Sequence, residues 1–379
     1  MKTRLSLRRP LLLAIGTIAI AYCLLALALV LIDPFDIYPW GIKPALKTNG
    51  DYSAEATRYL AAAVAKTPAF NTILVGASTA RLYTPQVMKE LLPGTRLAFN
   101  FSYSAPSPAD RAAVFRELLR FSSPRRLIVE VDWTYILPKA FQHPTPGFPL
   151  YLYDDAWWND ARTMTLESFQ LSWTLLRGGT LWLPAWSRTA EQASYRDTYA
   201  VMQGDAPKAD LRAYIARNRN SINTPSKLTC ADMDSIGKDL APFVRAMSVR
   251  GVEVDMVLPV YSWVLYYHHT GEPDPRGMSR PSLLNDLLLM RRCLVDALDG
   301  LPHVRIFAFD NVPGLASDWK NYFDPGHLYN FEANRYILRS IAAGEHVLSR
   351  NNVDAEIAQL RANVLNYQFT SNEIWAPEK

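Results

Sequence analysis

Two short segments carry residue types that together can activate a serine for acyl chemistry. Ser78 lies in the sequence Gly-Ala-Ser-Thr at 76–79, and Asp324 and His327 lie in Asp-Pro-Gly-His at 324–327. A carboxylate three residues before a histidine can orient the imidazole, and the imidazole can then take the proton of a serine hydroxyl. The combination predicts transfer or hydrolysis of an acyl group. Taken alone, Ser78 also fits a helix N-cap, because serine is a preferred capping residue.

Strands and helices alternate along the chain, which would bring both segments to one edge of a sheet. Apolar runs predict strands at 71–76, 95–101, 125–132, 252–260 and 303–309. Segments with helical periodicity lie before, between and after these strands, at about 54–66, 84–92, 107–121, 229–249, 281–298 and 330–348. This alternation predicts an α/β fold, a three-layer parallel sheet of about five strands. Such sheets bind ligands at the carboxyl ends of their strands, where Ser78 and the Asp324/His327 loop fall.

The N-terminal region contains a segment that is long and apolar enough to cross a membrane. Residues 10–32 carry no charge and exceed the roughly 20 helical residues that span the hydrocarbon layer. Basic residues precede the segment, namely Lys2, Arg4, Arg8 and Arg9. The positive-inside rule therefore predicts a transmembrane helix with residues 1–9 in the cytoplasm and the remainder outside. A cleaved signal peptide is the alternative, but the run exceeds a typical h-region, and Asp33-Pro34-Phe35 follows it instead of small residues.

The remaining chain divides by composition. Residues 33–52, rich in proline and aromatic residues, predict an ordered strap from the bilayer to a domain at 53–350. The alternation of strands and helices stops at about 137–227, which predicts a helical, aromatic-rich insertion containing Trp157, Trp158, Trp173, Trp182 and Trp186. Residues 351–379 predict a C-terminal helix, at about 352–366, and a tail.

Composition argues against several classes of ligand. The net charge is +4 with acidic and basic residues mixed throughout, and no basic run interleaves with aromatic residues, so nucleic acid is not an expected partner. Cys230 and Cys293 belong to no metal-spaced cluster and either form one disulfide or stay reduced. His268 and His269 are adjacent and would point in different directions, with no further ligands nearby. We therefore expect neither a metal nor a cofactor.

The order and position of these motifs resemble the SGNH (GDSL-like) esterase and acyltransferase superfamily. Its members place a nucleophile after the first strand and a DxxH pair before the last helix. The strap, the membrane helix and the segments 76–81, 100–105 and 323–328 are similar to its membrane-anchored branch. That branch includes the teichoic-acid D-alanylation and alginate O-acetylation proteins, which work beside membrane-bound O-acyltransferases. The resemblance covers about 70–130 and 250–345 and leaves the insertion unmatched.

By this resemblance the sheet is flavodoxin-like, Ser78 is the nucleophile, His327 the general base and Asp324 its orienting carboxylate. The superfamily's oxyanion hole uses the nucleophile's backbone N–H, a glycine after the second strand and an asparagine after the third. Here Ser104 and Ala105 stand near the glycine position, and a backbone N–H from either can serve because donation does not require glycine.

Asp132 and Trp133 stand where the superfamily's asparagine is expected, which leaves one oxyanion donor unassigned. Each such donor is worth about 10²- to 10³-fold in rate, so a slow or strongly substrate-dependent enzyme is expected. Arg81 either holds an anionic substrate or oxyanion, or forms a surface salt bridge. Asn100 either supports the serine turn or has another structural role, and Asp132 either contacts substrate or caps the segment after it.

The sequence as a whole predicts a bacterial inner-membrane protein whose periplasmic or external domain transfers an acyl group, most simply acetyl, to an envelope or exported polysaccharide. The expected partners are that polysaccharide, the membrane through residues 10–32, and a membrane-bound O-acyltransferase. A membrane-tethered carbohydrate or lipid esterase is the enzymatic alternative. The alternative that is not an enzyme is a non-catalytic polysaccharide-binding scaffold of a membrane synthesis complex.

Overall fold

The structure is a computed structural model, and it describes residues 8–32, 54–66, 69–103, 106–136, 143–154, 156, 160, 162–163, 215–216, 222, 225–267 and 283–368. The strap, most of the predicted insertion with its five tryptophans, the pair His268 and His269, and the tail from 369 lie outside the described residues. The α-helices are α1 (Arg8–Ile32), α2 (Ala54–Ala65), α3 (Pro85–Leu91), α4 (Pro108–Phe121), α5 (Ala241–Val249), α6 (Leu283–Leu298), α7 (Phe331–Ala343) and α8 (Val353–Leu365).

A six-stranded, mostly parallel sheet forms the centre of the described domain. Its strands are β1 (Thr72–Val75), β2 (Ala98–Asn100), β3 (Arg126–Glu130), β4 (Glu253–Val257), β5 (Val304–Phe307) and β8 (Val347–Leu348). They lie in the order β2-β1-β3-β4-β5-β8, and all neighbours are parallel except β5 and β8. The order of the five parallel strands is that of flavodoxin-like doubly wound sheets, in which the order reverses beside β1.

Helices cover both faces of the sheet and make three layers. Successive strand residues point to opposite faces, so Ile73 packs into one apolar core and Leu74 into the other. The first core lies under α2, α4, α5, α6 and α8. The second core lies under α3 and α7. The predicted α/β class with a largely parallel sheet is therefore confirmed.

The predicted helix at 330–348 is wrong at its C-terminal end. α7 stops because Gly344 adopts a left-handed φ of 75°, and its N–H binds the carbonyls of Ser340 and Ile341. The chain then turns back, and β8 pairs antiparallel with β5. The sheet consequently has a sixth strand that the sequence pattern did not indicate.

The helix predicted at about 84–92 is confirmed, because α3 begins at Pro85 with Thr84 as its N-cap. Ser78 instead begins a short 3₁₀ turn, Ser78–Ala80. Ser78 is therefore not the cap of an α-helix. The region predicted as one helix at 229–249 is a 3₁₀ turn (Cys230–Asp232), a π-helical turn (Ile236–Leu240) and then α5. Pro242, in the first turn of α5, has no N–H with which to continue an α-helical ladder from the preceding turn.

The pairing of the cysteines, open from the sequence, is defined by the fold. Cys230 and Cys293 form a disulfide that ties the 3₁₀ turn before α5 to α6. Within α1, residues Pro10–Leu31 have a mean hydropathy of 2.5, so this helix is long and apolar enough to span a membrane.

Candidate active site

Ser78, His327 and Asp324 lie in one continuous chain of hydrogen bonds at the carboxyl edge of the sheet. Ser78 Oγ is 2.8 Å from His327 Nε2. The other ring nitrogen, Nδ1, is 2.8 Å from each carboxylate oxygen of Asp324. If Nδ1 carries the proton, Nε2 is free to accept the proton of Ser78 Oγ. The arrangement has the connectivity of a serine, histidine and aspartate relay.

The carboxylate and the imidazole are held by a tight hairpin of β6 (Tyr322–Asp324) and β7 (His327–Leu328). Asp324 Oδ1 accepts the backbone N–H groups of Gly326 at 2.8 Å and of His327 at 3.0 Å. Burial of Asp324 acts to raise its pKa, but the hydrogen bond and charge of His327 and these two N–H groups outweigh it, so the pKa lies below its usual value. Asp324 is therefore held ionised.

Buried asparagines anchor this hairpin. Asn321 carbonyl oxygen accepts the N–H groups of Tyr329 at 2.8 Å and of Asn330 at 3.0 Å. Asn334 Nδ2 donates to the carbonyl of Leu328 at 3.2 Å. Sequence reasoning missed these residues. The signal available was the concentration of asparagine on both sides of the Asp-Pro-Gly-His segment, with Asn330 at a typical N-cap position for α7.

Glu130, at the end of β3, holds the Ser78 turn from within the protein. One carboxylate oxygen accepts the backbone N–H of Ala77 at 2.6 Å, and the other accepts the hydroxyl of Thr79 at 2.7 Å. The residue is 2% exposed. Its two hydrogen bonds therefore bracket Ser78 on both sides along the chain.

The pKa of Glu130 is raised to about 8, chiefly by burial and next by the negative charge of Asp132. The N–H of Ala77, the hydroxyl of Thr79 and the charge of Arg111 act in the opposite direction and are outweighed. Sequence reasoning missed this residue as well. A carboxylate directly after the apolar residues 127–129 of the predicted strand is the signal that could have identified it, because buried charges are costly and rarely incidental.

Gly76 gives the turn the space that it needs. A Cβ at this position would lie 2.9 Å from Ala80 Cβ, 2.9 Å from Ser102 Oγ and 3.1 Å from Glu130 Oε2. Real side chains essentially never approach each other that closely, so any other residue would push the serine turn away from β2 or β3.

Asn100 and Asp132 make all their observed hydrogen bonds inside the protein. Asn100 Nδ2 donates to the carbonyls of Ala80 and Tyr83, both at 2.9 Å, which supports the segment after Ser78. Asp132 forms a buried pair with Arg111, with bonds of 3.2 and 2.5 Å.

Asp132 Oδ1 also accepts the N–H of Thr134 at 3.0 Å. Of the predicted alternatives, these bonds correspond to turn support for Asn100 and to capping for Asp132. Neither side chain is turned toward the Ser78 hydroxyl by these bonds.

Of the remaining predicted site residues, the structure describes Arg81 and Trp133. Arg81 is half-buried and acts electrostatically on Tyr329, so it lies beside the hairpin. Trp133 is 37% exposed at the carboxyl edge, and its backbone N–H donates to the hydroxyl of Tyr261 at 3.2 Å. Ser104 and Ala105 lie outside the described residues, so their predicted role as oxyanion donors stays a prediction.

The relay is open to solvent on one side. The side chains of His327 and Asp324 are 31% and 39% exposed. Both side chains of the hairpin are therefore reachable from solvent. Within the described ranges, no group of three or more His, Cys, Asp or Glu residues is placed so that it could hold a metal ion.

Comparison with known proteins adds no relative to this description. No protein-family model matches the chain, and no curated protein sequence matches it.

Proposed function

We propose that this chain is a membrane-anchored serine acyltransferase that O-acylates, most simply O-acetylates, an envelope or exported polysaccharide outside the cytoplasm. The observation that carries the proposal is the relay from Asp324 through His327 to Ser78, with successive distances of 2.8 Å. A serine hydroxyl is a poor nucleophile unless a positioned base takes its proton, and this geometry supplies that base.

The first half of the reaction acylates the serine. His327 Nε2 takes the proton of Ser78 Oγ as that oxygen bonds to the acyl carbonyl carbon, and a negative charge develops on the carbonyl oxygen. The intermediate collapses by breaking the bond to the donor's leaving group, which receives the proton from Nε2. Asp324 stays ionised and keeps the imidazole in the tautomer with a proton on Nδ1.

The second half passes the acyl group to the acceptor. A sugar hydroxyl gives its proton to His327 Nε2 and attacks the ester carbon of acyl-Ser78. The bond to Ser78 Oγ breaks, and Oγ recovers a proton from Nε2, so the site returns to its starting state. The backbone N–H of Ser78 and one from Ser104 or Ala105 are the donors that we propose for the oxyanion.

Membrane attachment and orientation have separate support. The apolar stretch of α1 has the length of a membrane span, and the basic residues before it favour a cytoplasmic N-terminus. The disulfide between Cys230 and Cys293 fits a domain in an oxidising compartment. These observations support a single-pass bacterial inner-membrane protein with its domain in the periplasm or outside the cell.

Membership of the SGNH superfamily, in its membrane-anchored branch, is part of the same proposal. It is supported by the position of Ser78 after β1, by the Asp324/His327 pair before α7, and by the strand order of the sheet. A membrane-bound O-acyltransferase would then be the source of the acyl group.

Hydrolysis is the second candidate reaction. The exposure of His327, 31% of its side chain, leaves room for water to replace the sugar hydroxyl in the second half of the reaction. The enzyme would then be a membrane-tethered carbohydrate or lipid esterase with the same acyl-Ser78 intermediate.

Labelling with a fluorophosphonate probe tests the activated serine. Full-length protein in detergent micelles should be labelled, and Ser78→Ala and His327→Ala should abolish labelling. Ser123→Ala and His303→Asn are matched controls, because both residues are exposed at the amino edge of the sheet and should not affect labelling. Asparagine suits position 303, where φ is 61°.

Two outcomes would contradict the proposal. Labelling that survives in Ser78→Ala would show that another residue reacts, and folded wild type that stays unlabelled would favour the non-catalytic scaffold. Protein that the probe can label is then incubated, without the probe, with p-nitrophenyl acetate and a polysaccharide acceptor. This assay separates acyl transfer from hydrolysis. Acetyl recovered on the polysaccharide supports transfer, whereas free acetate alone supports hydrolysis.

A further inference from the structure

Glu130 accepts hydrogen bonds from the residues on both sides of Ser78, and none of its described hydrogen bonds is to Ser78 itself. Its bonds to Ala77 N–H, 2.6 Å, and Thr79 Oγ1, 2.7 Å, connect β3 to the turn that follows β1. This side chain therefore ties the turn to the neighbouring strand. The backbone N–H and the hydroxyl of Ser78 both depend on the position of that turn.

We propose that Glu130 is a positioning residue, which holds the Ser78 turn in its reactive geometry and does so as an uncharged carboxylic acid. This inference rests on the proposed acyl transfer at Ser78. The clamp does not require a charge, because the two oxygens of a neutral carboxyl can each still accept a hydrogen bond.

The surroundings of Glu130 favour the uncharged form. In the described part of the chain it forms no salt bridge, and Arg111, the cation whose charge lowers its pKa, already binds both oxygens of Asp132. The charge of Asp132 opposes a second negative charge, and together with burial it raises the pKa of Glu130 to about 8. Tyr83 and Tyr261 also face Glu130, and burial raises the pKa of both well above the usual value for tyrosine.

The uncharged form has a chemical advantage at this position. Acyl transfer puts a negative charge on the carbonyl oxygen beside the Ser78 N–H, and an ionised Glu130 behind the same turn would repel it in a poorly solvated environment. Loss of the proton from Glu130 should therefore slow the reaction of Ser78. The two tyrosines remain neutral over the same pH range and cannot cause that loss.

The rate of fluorophosphonate labelling of full-length protein in micelles, measured between about pH 6 and pH 10, tests this inference. Wild type should lose up to about tenfold in rate per pH unit above about pH 8. Glu130→Gln keeps both contacts, because the amide oxygen can accept from Ala77 and the amide nitrogen can donate to Thr79 Oγ1. It should match wild type near pH 7 and show no alkaline decline.

Glu130→Ala removes the clamp and should react about tenfold to 100-fold more slowly at every pH, since small displacements of reacting groups have effects of that size. Glu253→Gln is the matched control. This glutamate begins β4 at the amino edge of the sheet, and its substitution should leave the pH profile unchanged.

An alkaline decline that persists in Glu130→Gln, or is absent from wild type, would overturn the inference while leaving the proposed function intact. Wild type that is unlabelled at every pH would instead contradict the proposed function. In that case, the free energy of unfolding measured as a function of pH still tests whether Glu130 is uncharged, because it needs no reaction at Ser78. A stability difference between wild type and Glu130→Gln that does not vary with pH would overturn it.

Discussion

Asn330 Nδ2 donates a hydrogen bond of 2.8 Å to Asn321 Oδ1, and this bond closes the base of the hairpin that carries Asp324 and His327. Both asparagines are buried, at 8% and 0% exposure, so water does not substitute for either partner. Asn330 is at the same time the N-cap of α7, where its Oδ1 accepts the N–H of Ala333 at 3.2 Å. The relay thus depends on one side chain that joins a helix start to a hairpin.

Asn330→Ala should lower both stability and the reactivity of Ser78. The lost cap and the lost buried hydrogen bond are each worth about 1 kcal/mol, so we expect a decrease of about 2 kcal/mol in the free energy of unfolding. Labelling of Ser78 should slow because His327 loses its fixed position. Asn352→Ala is the control, since it removes bonds to Ser349 and Val347 far along the chain from the hairpin. Equal labelling rates in the two variants would contradict this role.

Asn100→Asp should damage the turn after the nucleophile. The substitution replaces an N–H donor by a carboxylate oxygen that faces the carbonyls of Ala80 and Tyr83, so two buried acceptors lose their partner. Such losses cost about 1–3 kcal/mol per group, and we expect the free energy of unfolding and the labelling rate to fall together.

Asn71→Asp supplies the matched comparison for Asn100. Asn71 Nδ2 donates to the carbonyl of Gly94 at 2.7 Å just before β1, so the same chemical change occurs at the opposite edge of the sheet. It should lower stability and leave the labelling of correctly folded protein unchanged. An Asn100→Asp variant that reacts slowly but unfolds like wild type would instead indicate a direct role in oxyanion binding.

The five parallel strands were predictable because they are largely buried and apolar residues predominate in each. β8 was not, because it pairs through only two residues and its sequence continues the helical pattern of α7. The deciding event is the left-handed turn at Gly344, a glycine that the sequence alone does not distinguish from others.

The candidate site also contains residues that the sequence predicts and residues that it does not. Ser78, Asp324 and His327 could be recognised because their side-chain types are those of nucleophilic catalysis and the strand order brings their segments together. Glu130 acts on groups that are distant along the chain, such as Ala77 N–H, 53 residues away. No local spacing encodes such contacts, so they required the folded structure.

The cysteines provide a test of orientation and stability. The chain has three, of which Cys230 and Cys293 are paired and Cys23 is free. If the domain folds outside the cytoplasm, protein denatured directly from cells should react with one maleimide, and with three after reduction. Three reactive thiols without reduction would contradict the proposed compartment.

Removal of this disulfide should also destabilise the domain. The bridge closes a loop with a sequence separation of 63, for which loop-closure entropy predicts a contribution of about 4 kcal/mol. The variant Cys230→Ser/Cys293→Ser should show that loss in urea unfolding of the full-length protein in micelles. Cys23→Ser is the control and should unfold like wild type, because it removes a thiol that takes part in no bridge.

Stability should depend on pH in a way that identifies Glu130. The pKa of its carboxyl rises from 4.5 to about 8 on folding, so between these values the folded protein holds a proton that the unfolded chain has released. The stabilisation is complete below the unfolded pKa and is lost as the pH rises toward 8. Linkage limits the slope of the free energy of unfolding to about 1.4 kcal/mol per pH unit for one group.

Glu130→Gln carries no titrating group at this position, so its unfolding should lack this contribution. Subtracting wild type from the variant cancels the carboxylates common to both, including Asp324, whose pKa is lowered and whose stabilisation is lost only as the pH falls. The difference should favour the variant increasingly from about pH 5 to pH 8 and level off above. Urea unfolding followed by tryptophan fluorescence measures it, and a difference that stays constant between pH 5 and pH 8 would show that Glu130 is ionised in the folded protein.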